Sequence, residues 1–94
     1  MGVKWLAVAR ANLLTIAEYV AQDNPTAAYA VHDAILRQVG LLAEHPRIGR
    51  PGRVNGTREL VVVGTPYIVA YRVTDQEVTI LRVLHGVQQW PKRL

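Results

Sequence analysis

The sequence predicts an α+β fold in which a helical hairpin packs on one face of a small antiparallel sheet. In the first half of the chain, apolar residues recur at intervals of three and four, the spacing of one helix face. The second half holds short segments rich in Val, Ile and Tyr, separated by turn residues, which is typical of consecutive antiparallel strands. The predicted order is β-α-α-β-β-β, and the 94 residues, 1–94, are predicted to form one domain.

The first half is predicted to hold a short strand and the helical hairpin. A brief apolar run over residues 3–6 predicts the strand. The hairpin covers about residues 7–45, with helices over about 7–22 and 25–44. Asn24 is a good N-cap and Pro25 suits the first helical position, so the turn between the helices is predicted at this point.

The second half is predicted to hold a loop, three strands and a tail. The segment 46–56 contains two prolines, three glycines and three arginines, a composition typical of a loop. Strands are predicted over 58–63, 67–73 and 78–85, within an antiparallel region of about 57–85, and residues 86–94 form a polar C-terminal tail.

Alternation along the strands predicts which side chains share a face of the sheet. Arg82 is placed on the same side as Ile80, whereas His85 lies on the other side. Arg72 is placed on an otherwise apolar face of its strand, and Tyr71 on the opposite, core-facing side. Arginines that interrupt apolar faces need a carboxylate, a phosphate or water as a partner.

Charge is distributed unevenly along the chain. Residues 1–45 carry three basic and four acidic residues, a net charge of −1, whereas residues 46–94 carry eight and three, a net charge of +5. The excess is almost entirely arginine, whose planar guanidinium suits bidentate contacts to carboxylate or phosphate. The second half is therefore predicted to bind an anionic partner.

Composition excludes several classes of protein. A chain of 94 residues without cysteine is neither a multidomain enzyme nor a disulfide-stapled module, and it has no thiolate metal site. It lacks serine, and its three histidines have no metal-ligand spacing, so no metal and no cofactor are predicted. No segment approaches the roughly 18 apolar residues of a membrane helix, and residues 1–10 lack the features of a signal peptide, so a cytoplasmic protein without membrane contact is expected.

Two clusters are candidates for function. The arginines of the loop, with Arg58 just beyond it, are either solvated or face one anionic ligand, and the sequence leaves both interpretations open. Metal-free cleavage of RNA would need an acid, a base and cations. Glu59 and His85 are candidate acid–base groups, although His85 is interpreted first as a hydrogen-bonded residue that closes the sheet edge. The cations for that chemistry would be Arg58, Arg72 and Arg82.

Five segments together resemble one known family. They are IAEYVAQDNP at 16–25, HPRIGRPG at 45–52, GTREL at 56–60, YIVAYRV at 67–73, and ILRVLHG at 80–86 followed by WP at 90–91. In this order they resemble the ParE/RelE superfamily of toxins from bacterial type II toxin–antitoxin systems. The resemblance implies the β-α-α-β-β-β fold and a cognate antitoxin, whose acidic, partly disordered C-terminal segment folds on the toxin.

The resemblance leaves the target of the toxin open between two branches. No lysine lies between Lys4 and Lys92, and Trp90 stands where a RelE-like ribonuclease has a tyrosine. This favours the ParE branch, whose members inhibit DNA gyrase and have no known catalytic activity. The alternatives are a ribosome-dependent mRNA endoribonuclease of the RelE type and a degenerate relative that only binds its antitoxin. The expected partner-binding residues are Arg47, Arg50, Arg53, Arg58, Arg72, Arg82 and Trp90, and the residues of a ribonuclease would be Arg58, Arg72, Arg82 and His85.

Overall fold

The computed structural model describes all 94 residues, which form two helices and one five-stranded sheet. In chain order the elements are β1 (Gly2–Trp5), α1 (Ala7–Asp23), α2 (Pro25–Gly40), β2 (Arg50–Pro51), β3 (Arg58–Val61), β4 (Tyr67–Val73) and β5 (Glu77–His85). The predicted α+β class, with a helical hairpin on a sheet, is confirmed. Neither helix is long and apolar enough to cross a membrane.

The turn between the helices lies where Asn24 and Pro25 predict it. The Asn24 side chain accepts a hydrogen bond of 3.1 Å from the backbone N–H of Ala27, and Pro25 is the first residue of α2. The second helix ends earlier than predicted, at Gly40, because the chain tightens into a 3₁₀ turn over Leu41–Ala43. This turn closes with a hydrogen bond from the Glu44 N–H to the Leu41 carbonyl, the spacing of a 3₁₀ helix.

The sheet is mixed, with the strand order β1-β5-β4-β3-β2. β1 is parallel to β5, and all other neighbours are antiparallel, as predicted for the second half of the chain. The predicted loop contains one additional, two-residue strand, β2, in which Arg50 pairs with Glu59 and Pro51 pairs with Arg58. Proline is tolerated in this strand because it forms the edge of the sheet.

The two helices cover one face of the sheet, and the main core lies between the helices and this face. A bulge in β5 changes which of its side chains face this core, because Ala70 pairs with Arg82 whereas Tyr71 pairs with Ile80. The prediction that Arg82 shares a face with Ile80 is therefore wrong, and so is the prediction that His85 lies on the side opposite Ile80. The buried core residues are Ala9, Leu13, Ile16, Ile35, Val39, Leu42, Leu60, Val62, Tyr67, Val69, Tyr71, Val78, Ile80 and Val83.

Candidate functional site

Four residues form one row across the face of the sheet that points away from the helices. Arg50 pairs with Glu59, Glu59 with Ala70, and Ala70 with Arg82, so the row crosses β2, β3, β4 and β5. Leu60, the next residue of β3, belongs to the helix-covered core, so alternation places Glu59 on the opposite, open face. Neighbouring strands lie about 4.8 Å apart. The row therefore places Arg50 and Arg82, which are 32 positions apart in the sequence, on the same line across the sheet.

Glu59 is a buried carboxylate between two arginines. Its side chain is only 2% exposed, whereas those of Arg50 and Arg53 are 53% and 42% exposed. Oε1 accepts hydrogen bonds from Arg50 Nε at 3.2 Å and Nη2 at 3.0 Å. Oε2 accepts from the backbone N–H of Arg53 at 2.8 Å and from its Nε at 3.1 Å. Two of the three arginines in the predicted loop thus converge on a carboxylate of the chain itself.

These contacts keep Glu59 ionised. Burial by itself raises the pKa of the Glu59 carboxyl, since the interior disfavours charge. The hydrogen bonds from the Arg53 side chain and backbone and from Arg50 outweigh burial, so the pKa lies below its ordinary value. The carboxylate therefore holds two guanidinium groups in place at neutral pH.

The C-terminal tail is attached to this cluster through Trp90. The guanidinium carbon of Arg53 lies 3.7 Å from the centre of the Trp90 ring, a cation–π contact. Trp90 Nε1 also donates a hydrogen bond of 3.4 Å to the carbonyl of His85, the last residue of β5. Arg53 therefore joins the loop, β3 and the tail in one place.

Two arginines on the open face have no carboxylate partner. Arg82 donates from Nη1 to the carbonyl of Leu81 at 2.9 Å, and Arg72, two residues beyond Ala70 on β4, is exposed. The only ion pairs of the chain are those of Glu59. We call this surface the basic face; its charged side chains sum to +3, and it consists of Arg50, Arg53, Glu59, Arg72, Arg82 and Trp90.

Arg58 anchors the loop from the other side of the sheet. It lies opposite Tyr71, a core residue on the helix-covered face, and donates from Nη1 to the carbonyl of Gly49 at 2.8 Å. The buried Tyr71 hydroxyl accepts a hydrogen bond of 2.9 Å from the Gly49 N–H. A Cβ on Gly49 would lie 2.5 Å from that hydroxyl, so only glycine fits. Arg47, by contrast, is exposed in the loop, and its side chain makes no hydrogen bond within the chain.

His85 packs on the helix-covered side, at the end of β5. It pairs with Tyr67, and their rings meet edge to face with centres 5.5 Å apart. Its Nδ1 accepts a hydrogen bond of 3.2 Å from the Val87 N–H. His85 and Arg58 therefore share a face opposite to that of Arg72 and Arg82, so the structure does not bring the four ribonuclease candidates together.

The expected partner-binding residues divide into two groups. Five of them, Arg50, Arg53, Arg72, Arg82 and Trp90, lie together on the basic face, whereas Arg47 and Arg58 do not. The sequence suggested Glu59 only as a candidate acid–base group for RNA cleavage, and its function as the acceptor for two arginines was not predicted. One signal was available, because Glu59 is the single acidic residue between Glu44 and Asp75 in an arginine-rich stretch.

Comparisons with known proteins agree with this fold and with the resemblance. The sequence model of the family described as "ParE toxin of type II toxin-antitoxin system, parDE" matches residues 3–90. A putative toxin of Sinorhizobium fredii, Y4kP, is 45% identical over 92 residues, covering 98% of this chain and 95% of its own. Toxin RelE2 of Caulobacter vibrioides is 37% identical over 86 residues, covering 92% and 96%.

Two solved structures are similar to the chain over most of their length. The chromosomal ParDE toxin–antitoxin system of P. aeruginosa contains a chain with a TM-score of 0.80 and 33% identity, covering 90% of this chain and 95% of that one. The toxin–antitoxin complex RelBE2 of Mycobacterium tuberculosis gives a TM-score of 0.55 and 29% identity, covering 89% and 95%. Family match, relatives and fold together show that the chain belongs to the ParE/RelE superfamily of type II toxin–antitoxin toxins.

Proposed function

We propose that this protein inhibits DNA gyrase by protein contact and is neutralised by an antitoxin whose acidic segment binds the basic face. The observation that carries the proposal is the basic face, in which Arg82 has no carboxylate partner while Arg50 and Arg53 already share one. A surface of this kind attracts an acidic peptide and fixes its register.

The basic face has hydrogen-bond donors that are not used within the chain and can bind an acidic segment. Arg50 and Arg53 each use Nε and Nη2 on Glu59, so their Nη1 groups are free to bind a ligand. Ala70, which is fully buried, separates Glu59 from Arg82 in the row, so Glu59 does not pair with Arg82 and its arginine partners are Arg50 and Arg53. The similar solved structures are of a ParDE toxin–antitoxin system and a RelBE2 toxin–antitoxin complex, which supports an antitoxin partner for this chain.

Gyrase is the favoured target because the chain offers no compact acid–base site. Arg58 and His85 lie on the helix-covered face, whereas Arg72 and Arg82 lie on the open face. The Nδ1 atom of His85 is already engaged by the backbone. RNA cleavage without a metal needs an acid, a base and cations around one phosphate, and this arrangement separates them by the thickness of the sheet.

A supercoiling assay tests the target. Excess purified protein is expected to block the conversion of relaxed plasmid to supercoiled plasmid by gyrase, while relaxation by a type I topoisomerase continues unchanged. Full gyrase activity in the presence of excess folded protein would refute the gyrase proposal. Restoration of supercoiling when the antitoxin is added would then show neutralisation.

Ribosome-dependent cleavage of mRNA is the second candidate, favoured by the similarity to Toxin RelE2 and to the RelBE2 complex. Toeprinting on translating ribosomes tests it. Codon-specific cleavage that disappears in Arg82→Ala would support this candidate, and no cleavage by the wild-type protein would remove it. A protein that neither cleaves mRNA nor inhibits gyrase, and does not slow growth when expressed alone, would be a degenerate member that only binds its antitoxin.

A further inference from the structure

The tip of the hairpin between β2 and β3 carries the sequence Asn55–Gly56. The Gly52 N–H donates a hydrogen bond of 2.8 Å to the Thr57 carbonyl, so the chain reverses its direction at this point. Inside the reversal, the Thr57 N–H donates to the Val54 carbonyl at 3.2 Å, and Gly56 has a φ of 78°. A positive φ at the third of four residues is the geometry of a type II turn, which favours glycine there. Asn55 and Gly56 are therefore the two central residues of the turn.

Neither reactive group of this pair is restrained by the rest of the chain. Asn55 and Gly56 are both exposed. The hydrogen bonds that close the turn come from Thr57, whose N–H and hydroxyl both donate to the Val54 carbonyl. The Asn55 side chain and the Gly56 N–H make no hydrogen bond within the chain. A Cβ placed on Gly56 would meet nothing within 4 Å, so the space around this residue is open.

An asparagine followed by glycine can react with its own backbone. The Gly56 nitrogen attacks Cγ of the Asn55 side chain, a nitrogen–carbon bond forms, and Nδ2 leaves as ammonia with the proton of the Gly56 N–H. Glycine permits this attack because it has no side chain to crowd the nitrogen. Water then opens the cyclic imide at either of its carbonyl groups, which yields aspartate or isoaspartate. The reaction consumes water, releases ammonia and involves no oxidation or reduction.

The other two asparagines of the chain lack this combination of features. Asn24 precedes Pro25, whose nitrogen carries no proton and cannot attack. Asn12 lies within α1, and its Oδ1 accepts a hydrogen bond of 3.1 Å from the Val83 N–H. Asn55 is thus the only asparagine that is exposed, makes no hydrogen bond and precedes a glycine.

We propose that Asn55 is a site of spontaneous deamidation, through which the hairpin between β2 and β3 gains a negative charge as the protein ages. Either product carries a carboxylate two residues from Arg53, which binds Glu59. The isoaspartate product also lengthens the backbone by one carbon between Gly52 and Thr57, whose hydrogen bond closes the hairpin. Deamidated chains therefore attract an anionic partner less strongly. The inference goes beyond the proposed function and does not depend on it, since no antitoxin is needed to measure it.

Peptide mapping of the purified full-length chain by mass spectrometry tests the site. After incubation at mildly alkaline pH, the peptide that contains Asn55 is expected to gain the mass difference between an OH and an NH2 group. Asn55 should convert at least about tenfold faster than Asn12 or Asn24. Labelling by an isoaspartyl methyltransferase should appear in the aged wild type and not in Asn55→Gln, whose longer side chain would have to close a larger ring.

Binding to poly-L-glutamate measures the effect of the added charge. Asn55→Asp reproduces one of the two products, and Asn55→Gln is the matched neutral control at the same position. At low ionic strength we expect Asn55→Asp to bind about two- to fivefold more weakly than Asn55→Gln, because an exposed carboxylate adds a modest repulsion. The difference should disappear at about 1 M salt, where charges are screened within roughly 3 Å.

Two results would overturn the proposal. Conversion of Asn55 in the folded chain that is no faster than conversion of Asn12 and Asn24 would show that the turn protects it. Equal binding of Asn55→Asp and Asn55→Gln to poly-L-glutamate at low salt would show that the new carboxylate does not weaken the attraction of anions.

Discussion

Arg53 binds Glu59 through both its backbone and its side chain. The Arg53 N–H lies 2.8 Å and its Nε 3.1 Å from Oε2 of the buried carboxylate. Because Arg53 is a loop residue and Glu59 belongs to β3, this pair fixes the arginine-rich segment to the sheet.

Glu59→Gln is expected to destabilise the fold by about 1–3 kcal/mol. The amide is nearly the same size but leaves two guanidinium groups without a charge partner, and the half-exposed arginines recover part of the loss from water. Urea unfolding monitored by circular dichroism measures the change. Glu18→Gln, at an exposed position without an ion pair, should stay within about 0.5 kcal/mol of the wild type. Equal effects of the two variants would contradict the assigned role of Glu59.

The stabilising effect of Glu59 should disappear at low pH. An unperturbed glutamate has a pKa of 4.5. Burial raises the pKa of Glu59 in the folded protein, but the hydrogen bonds from Arg53 and Arg50 to its carboxylate lower it by more, so the pKa lies below 4.5. Its contribution is therefore fully present above 4.5 and is lost as the pH falls below 4.5 through the folded-state pKa. The difference in unfolding free energy between wild type and Glu59→Gln should shrink over that window, and a difference that grows on acidification would refute the assignment.

Trp90 should stabilise the tail through its ring rather than through its N–H group. Trp90→Phe keeps a ring against Arg53, whereas Trp90→Leu removes it, so we expect Trp90→Leu to be less stable by about 0.5–1 kcal/mol. Amide hydrogen exchange of residues 86–90 should accelerate more in Trp90→Leu than in Trp90→Phe. Identical exchange in the two variants would mean that the stacking on Arg53 does not hold the tail.

Gly49→Ala is expected to be strongly destabilising, by about 2 kcal/mol or more. The added methyl group would lie 2.5 Å from the Tyr71 hydroxyl and 2.8 Å from the Glu59 carbonyl, and both groups are fixed in the structure. Gly40→Ala is the matched control, because a Cβ at this last residue of α2 meets nothing within 4 Å. That variant should be neutral or more stable by up to about 1 kcal/mol, since alanine favours helix. Thermal unfolding of both variants gives the comparison.

Local sequence signals predicted most of the elements. Asn24 and Pro25 located the helical turn, and the strand β4 was predicted with its observed bounds, Tyr67–Val73. Cap chemistry and side-chain alternation are properties of a few adjacent residues, so a sequence displays them directly.

Features that depend on pairing between distant segments were not predicted. The two-residue strand β2 exists because Arg50 and Pro51 lie beside β3, and the bulge that turns Arg82 to the open face is set by pairing with β4. The parallel placement of β1 beside β5 likewise has no local signal. For the same reason, the burial of Glu59 between two arginines followed only from the three-dimensional arrangement.

The proposed antitoxin-binding role of the basic face is tested most directly by calorimetric titration with a cognate antitoxin. Arg72→Glu/Arg82→Glu places two negative charges on the open face, and we expect its affinity for the antitoxin to fall by about a hundredfold or more. Arg10→Glu/Arg37→Glu makes the same change in charge on the helical hairpin and should bind within about threefold of the wild type. Wild-type affinity in the Arg72→Glu/Arg82→Glu variant would contradict the proposed site.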